Sequence, residues 1–164
     1  GLVLQEIREY RSMAYSAGAH YAIPSKSGKE SFFMGYIGTQ TDKTIEAIQI
    51  FDSLVRHMPQ KTDRWSFISN YLVKSSLSNR PNFRYLSESM VNWKLLGYQH
   101  DPNQEKIPVY YEMKFDDIVK FYQENIQKNP MVTVIVGDQK RIDMKKLSRF
   151  GKIVTLKKKD VFRN

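Results

Sequence analysis

The chain has 164 residues, 41% hydrophobic and 26% charged, a balance that fits one folded domain and excludes a disordered tail. Its longest core-like run, Met131 to Val136, is far short of the ~18 apolar residues a membrane span needs. Cysteine is absent, which removes disulfides, a thiol nucleophile and thiolate metal sites, and the net charge of +9 raises the question of an anionic partner.

The opening residues Gly1-Leu2-Val3-Leu4 lack the basic start and long apolar stretch of a signal peptide. Residues 2–13 read as a helix, with Leu4 and Ile7 one turn apart. Two strands follow at 15–23 and 31–38, joined by Pro24-Ser25-Lys26-Ser27-Gly28-Lys29, which is turn chemistry between aromatic and β-branched runs. The run Phe32-Phe33-Met34-Gly35-Tyr36-Ile37 is apolar on both faces in places, so it is expected inside a sheet rather than at its edge.

A strong amphipathic helix comes next. Thr41 or Asp42 caps it, Thr44, Ala47, Ile48, Phe51, Leu54, Val55 and Met58 recur at helical spacing, and Pro59 follows. A second helix starts at Thr62-Asp63 with Trp65, Ile68 and Leu72 on one stripe. A third runs from about Pro81 to Leu96, with Leu86, Met90 and Trp93 inward and Gly97 as its C-terminal cap. Residues 98–108 hold two prolines and read as a loop. The helix at 114–128 carries Phe115, Ile118, Val119, Tyr122 and Ile126, with Asp116-Asp117 in its positive first turn.

Met131 to Val136 reads as a buried strand, Gly137-Asp138 as a turn, 143–149 as a short helix, and Lys152 to Leu156 as a last strand. Strands cluster at the two ends with helices between them. That order predicts an α+β fold in which a mostly antiparallel sheet packs on helices as a two-layer sandwich, with 1–164 a single domain. Charge is concentrated late. Ten Lys or Arg lie between Lys140 and Arg163 against Asp138, Asp143 and Asp160, so residues 138–164 carry +7 and the rest +2. Nearly all the aromatics fall elsewhere at core spacing, so this segment reads as a solvated basic face rather than a nucleic-acid site.

Few residues are arranged for chemistry. His20, His57 and His100 are far apart in sequence, and none has a Glu one helical turn on, so the chain itself offers no zinc motif. A strained GxSxG elbow is missing, and Gly35 and Gly38 precede a helix without the lysine of a phosphate loop. Arg8 and Tyr15 are the exception. Seven residues apart, they would point the same way on a continued helix, setting a fork of donors beside a phenolic hydroxyl. Such a pair suits a carbonyl or oxyanion; equally, a solvated Arg and a core Tyr would give the same spacing.

The segment Ile7-Arg8-Glu9-Tyr10-Arg11-Ser12-Met13-Ala14-Tyr15-Ser16 resembles the LREERGLAYS-type signature of the pitrilysin/insulinase-like family of zinc metallopeptidases, with Ser12 and Met13 in place of the commoner Gly-Leu. The likeness continues through the helix at 44–54, Gly97-Tyr98-Gln99-His100-Asp101-Pro102, Phe115 to Tyr122, Val132 to Asp138 and Phe150-Gly151-Lys152. The order and spacing of these segments are more specific than any one of them.

The resemblance implies the C-terminal, non-catalytic α+β domain of a larger peptidase. In that family two halves close around a peptide chamber, and the zinc site, an HxxEH helix with a later Glu, lies in the N-terminal half. Arg8 and Tyr15 match the Arg and Tyr that reach across toward the substrate, so they are the substrate-binding candidates, with no catalytic or metal residue in this chain. The implied cofactor is zinc in the parent enzyme, and the implied partners are its N-terminal half and peptide substrates. The chain begins at the signature helix, so the strands that normally precede it are expected to be missing and a sheet edge to be open, through which copies could pair. A bacterial cell-envelope or periplasmic home is implied by resemblance only. Two alternatives stay open: a domain of a proteolytically inactive scaffold paralogue, and a basic module for nucleic acid or another anionic surface.

Overall fold

The computed structural model describes residues 16–161. They form an α+β structure, helix-rich with one antiparallel sheet of two strands, β1 (Ser16–Ala22) and β2 (Phe32–Gly38). The helices are α1 (Thr44–Arg56), α2 (Trp65–Ser78), α3 (Leu86–Leu95), α4 (Asn103–Glu112), α5 (Phe115–Tyr122), α6 (Met144–Leu147) and α7 (Lys158–Val161). Backbone contacts divide the chain into two compact units, with residues 16–18, 36–54 and 131–161 in one and 19–35 and 55–130 in the other.

In the first unit the core forms where α1 meets the hairpin. Ala17 and Ile50 are buried together, with Ile37, Phe51 and Leu54 packed against them, and Ala47 is buried one turn before Ile50. This is the apolar stripe read from the sequence, extended by Ile50. A two-stranded hairpin is marginal in water by itself, and burial against an amphipathic helix is what stabilises it. The chain enters α1 through a 3-10 turn at Thr41–Lys43 rather than through a Thr41 or Asp42 cap; Gln40 precedes it and makes no capping bond with its side chain. Gly18 lies under the Tyr36 ring, where an added Cβ would sit 2.8 Å from a ring carbon.

In the second unit α2 packs on α4, and Val55, Val73 and Tyr122 are buried. Two ring pairs join its segments edge to face: Tyr21 with Phe121 at 5.4 Å between centroids, and Trp65 with Phe115 at 6.3 Å. The α5 stripe is as expected, with Tyr122 buried and Phe115, Ile118, Val119 and Ile126 partly buried. Beyond Tyr122 the helix widens into a π turn, Gln123–Gln127. Of the three α3 residues expected inward, only Trp93 is partly covered; Leu86 and Met90 are exposed. Helix α3 does close at Gly97, whose φ of +95° allows Gly97 N to donate to Lys94 O and Tyr98 N to Trp93 O.

Helix α4 occupies much of the expected 98–108 loop. The Asp101 carboxylate accepts from Asn103 N at 2.9 Å and opens the helix, which then runs through Pro108. The two later strands do not form. Among the described residues the sheet has only β1 and β2, and neither 131–136 nor 152–156 joins a ladder. A strand is stable only against a neighbour, and apolar composition alone does not supply one. Val132, Val134 and Val136, expected in a core, are 92%, 82% and 97% exposed.

Candidate functional site

Arg8 and Tyr15, the substrate-binding candidates, lie outside the described residues. His20 is exposed on β1, His57 is exposed just beyond α1, and the His100 ring sits 3.1 Å from the Glu105 carboxylate at the surface. Among the described residues no three His, Asp or Glu side chains gather as a metal site would require. Gly35 and Gly38 belong to β2 rather than to a loop that opens a helix.

A shallow depression of about 310 Å³ lies in the second unit, lined by Asn79, Ser89, Trp93, Asp101 and Lys106 among others. Its two charged groups are committed. Asp101 caps α4, and the Lys106 ammonium stands 5.5 Å from the centroid of the Tyr98 ring. Nothing in it pairs a nucleophile with a base.

A tighter polar cluster sits where α1 ends. Arg56 Nη1 donates to the carbonyl oxygens of Gln127 and Asn129, and Gln127 Nε2 donates back to Arg56 O at 2.9 Å. The Tyr122 hydroxyl donates to Val55 O at 2.9 Å and accepts from Met58 N at 3.1 Å. Two of these bonds satisfy the Val55 and Arg56 carbonyls at the α1 C-terminus, so the cluster is a latch between segments of one unit. Of the side chains that form it, only Tyr122, on the α5 stripe, is marked by spacing in the sequence.

The basic stretch is different, because its charges are unspent. Asp138 accepts from Lys140 N at 3.1 Å, Asp143 from Lys146 N at 2.9 Å and Asp160 from Lys157 N at 2.8 Å. All three carboxylates therefore cap turns or short helices. Asp143 also pairs with the Lys146 ammonium at 3.6 Å, and these interactions, the backbone N–H of Lys146 foremost, hold its carboxyl below the ordinary 3.8. Lys146 is the only cation of this stretch with an ion pair among the described residues. No residue from Met131 to Val161 is buried, and Ile135, Ile142, Met144 and Leu147 are only partly covered. The stretch is thus a solvated basic face, as its composition suggests, but one interspersed with bare aliphatic groups. No helix among the described residues is long and apolar enough to cross a membrane.

No family model matches the chain, and searches of curated proteins and of solved structures gave no match.

Proposed function

We propose that the chain is the zinc-free C-terminal domain of a metalloendopeptidase of the pitrilysin/insulinase-like type, one half of the wall of a closed peptide chamber. The observation that carries this reading is the placement of Arg8 and Tyr15, seven residues apart, within a segment that resembles the family signature and stands first in an ordered series of such segments. Zinc held in the N-terminal half of the parent would supply an activated water for attack on the scissile carbonyl. The part of this chain is to bind and orient. The Arg8 guanidinium offers parallel donors to the peptide backbone, and the Tyr15 hydroxyl donates to the carbonyl oxygen as negative charge develops on it.

The test is Tyr15→Phe in the full-length enzyme. Loss of one such donor lowers kcat by about a hundredfold, while an unchanged kcat and kcat/KM on a peptide would remove Tyr15 from that role. The chain alone is expected to cleave no peptide and to keep no stoichiometric zinc through dialysis; tight zinc by elemental analysis would overturn this assignment. An HxxEH helix upstream of Gly1 separates an active peptidase from a scaffold paralogue.

A further inference from the structure

We propose that residues 131–136 form a docking edge for an extended protein segment with alternating apolar residues flanked by Asp or Glu, which adds to them as a β-strand. Three observations converge. Val132, Val134 and Val136 stand at alternate positions and are 92%, 82% and 97% exposed, so they would share one face of a pleated strand; on the other face Met131 is 38% exposed, Thr133 is exposed and Ile135 is partly covered. The backbone of the same residues enters no ladder and, among the described residues, no backbone hydrogen bond joins it to another element, leaving it open to pairing. Directly after it, Lys140 and Arg141 begin a run of exposed cations whose neighbouring carboxylates are spent on caps, so the edge is flanked by uncompensated positive charge.

Each feature selects the occupant. Unpaired backbone groups ask for a partner backbone, the bare valines for apolar residues at alternate positions, and the cations for carboxylates beside them. A second copy would bring a further +9 against the same basic run, which opposes pairing of like faces. A nucleic-acid strand would find one described aromatic between 131 and 161, Phe150, on which to stack. A lipid surface would leave the backbone of 131–136 without hydrogen-bond partners. This edge would serve an active peptidase and a scaffold alike.

The experiment uses the full chain and a fluorescein-labelled peptide with a Val-Thr-Val-Thr-Val centre and Asp-Glu at each end, read by anisotropy and by hydrogen exchange of the 132–136 amides. The acidic peptide is expected to bind and to slow those amides, and its Lys-ended counterpart to bind at least about tenfold more weakly. Val134→Pro, at a site 82% exposed and outside any ladder, is expected to weaken binding by about tenfold or more. Lys140→Glu combined with Arg141→Glu is expected to weaken it about fivefold and to flatten its salt dependence. Exchange at 132–136 that is already slow in the chain alone, or unchanged by the peptide, would overturn the proposal. So would equal binding by the Val134→Pro variant, or binding only of phosphatidylglycerol vesicles or oligo-dT.

Discussion

The Tyr122 hydroxyl donates to the carbonyl oxygen of Val55 across 2.9 Å, joining the end of α5 to the end of α1 between two buried side chains. The phenolic oxygen itself accepts from Met58 N, so one phenol serves both a carbonyl and an amide. Tyr122→Phe keeps the ring and strands both groups. A loss of about 1–3 kcal/mol is expected, read as a lower urea midpoint at unchanged slope. A variant as stable as the parent would show that water replaces the phenol without cost.

Gly97 closes α3 in the left-handed region, and an added Cβ there would meet nothing nearer than the Ser27 side chain at 3.5 Å. Space is therefore not the constraint; backbone conformation is. Gly97→Ala is expected to cost about 1 kcal/mol through strain alone, with hydrogen exchange of Gly97 and Tyr98 amides faster in the variant.

Pro108 stands inside α4 and cannot donate to the carbonyl four residues earlier. Pro108→Ala restores a donor and removes the ring clash. A gain of about 1–3 kcal/mol is expected, measured by thermal unfolding. An unchanged or lower Tm would mean that packing of the proline ring outweighs the missing bond.

Asp143 is held in its charged form by the backbone N–H of Lys146 and by the Lys146 ammonium, so its carboxyl titrates below 3.8. A depressed carboxylate contributes to folding above its unfolded pKa, and the contribution is lost as pH falls through the folded value. The cap of α6 is therefore intact at neutral pH and fails only in acid. A carboxyl-carbon NMR titration of Asp143 should show a midpoint below 3.8, and Lys146→Ala should move it upward.

Helices α1 and α5 were legible because their partners lie one turn away along the chain, so Ala47, Val55 and Tyr122 take the covered positions their spacing predicts. Helix α4 was not. Pro102 and Pro108 read as breakers, while the deciding feature, Asp101 accepting from Asn103 N, is a cap that tolerates a proline at the entrance. The segments 131–136 and 152–156 have strand composition and no ladder, since pairing depends on a neighbour that composition does not name. Leu86 and Met90 show the same limit in a helix: their spacing marks a face, and whether anything covers it is decided elsewhere in the molecule. Arg8 and Tyr15 remain readings of spacing and resemblance, since they fall outside residues 16–161.

The π turn at Gln123–Gln127 gives that stretch an unusual tolerance of length. Wide turns of this kind accommodate one residue more than the α-helix around them. Removing a single residue there, Gln123 for instance, would let α geometry run on while the residues on either side keep their facing. Gln127 would still reach Arg56 O, and the latch at the end of α1 would hold. Descendants of this sequence should therefore lose a residue between Tyr122 and Ile126 more readily than they replace Gln127.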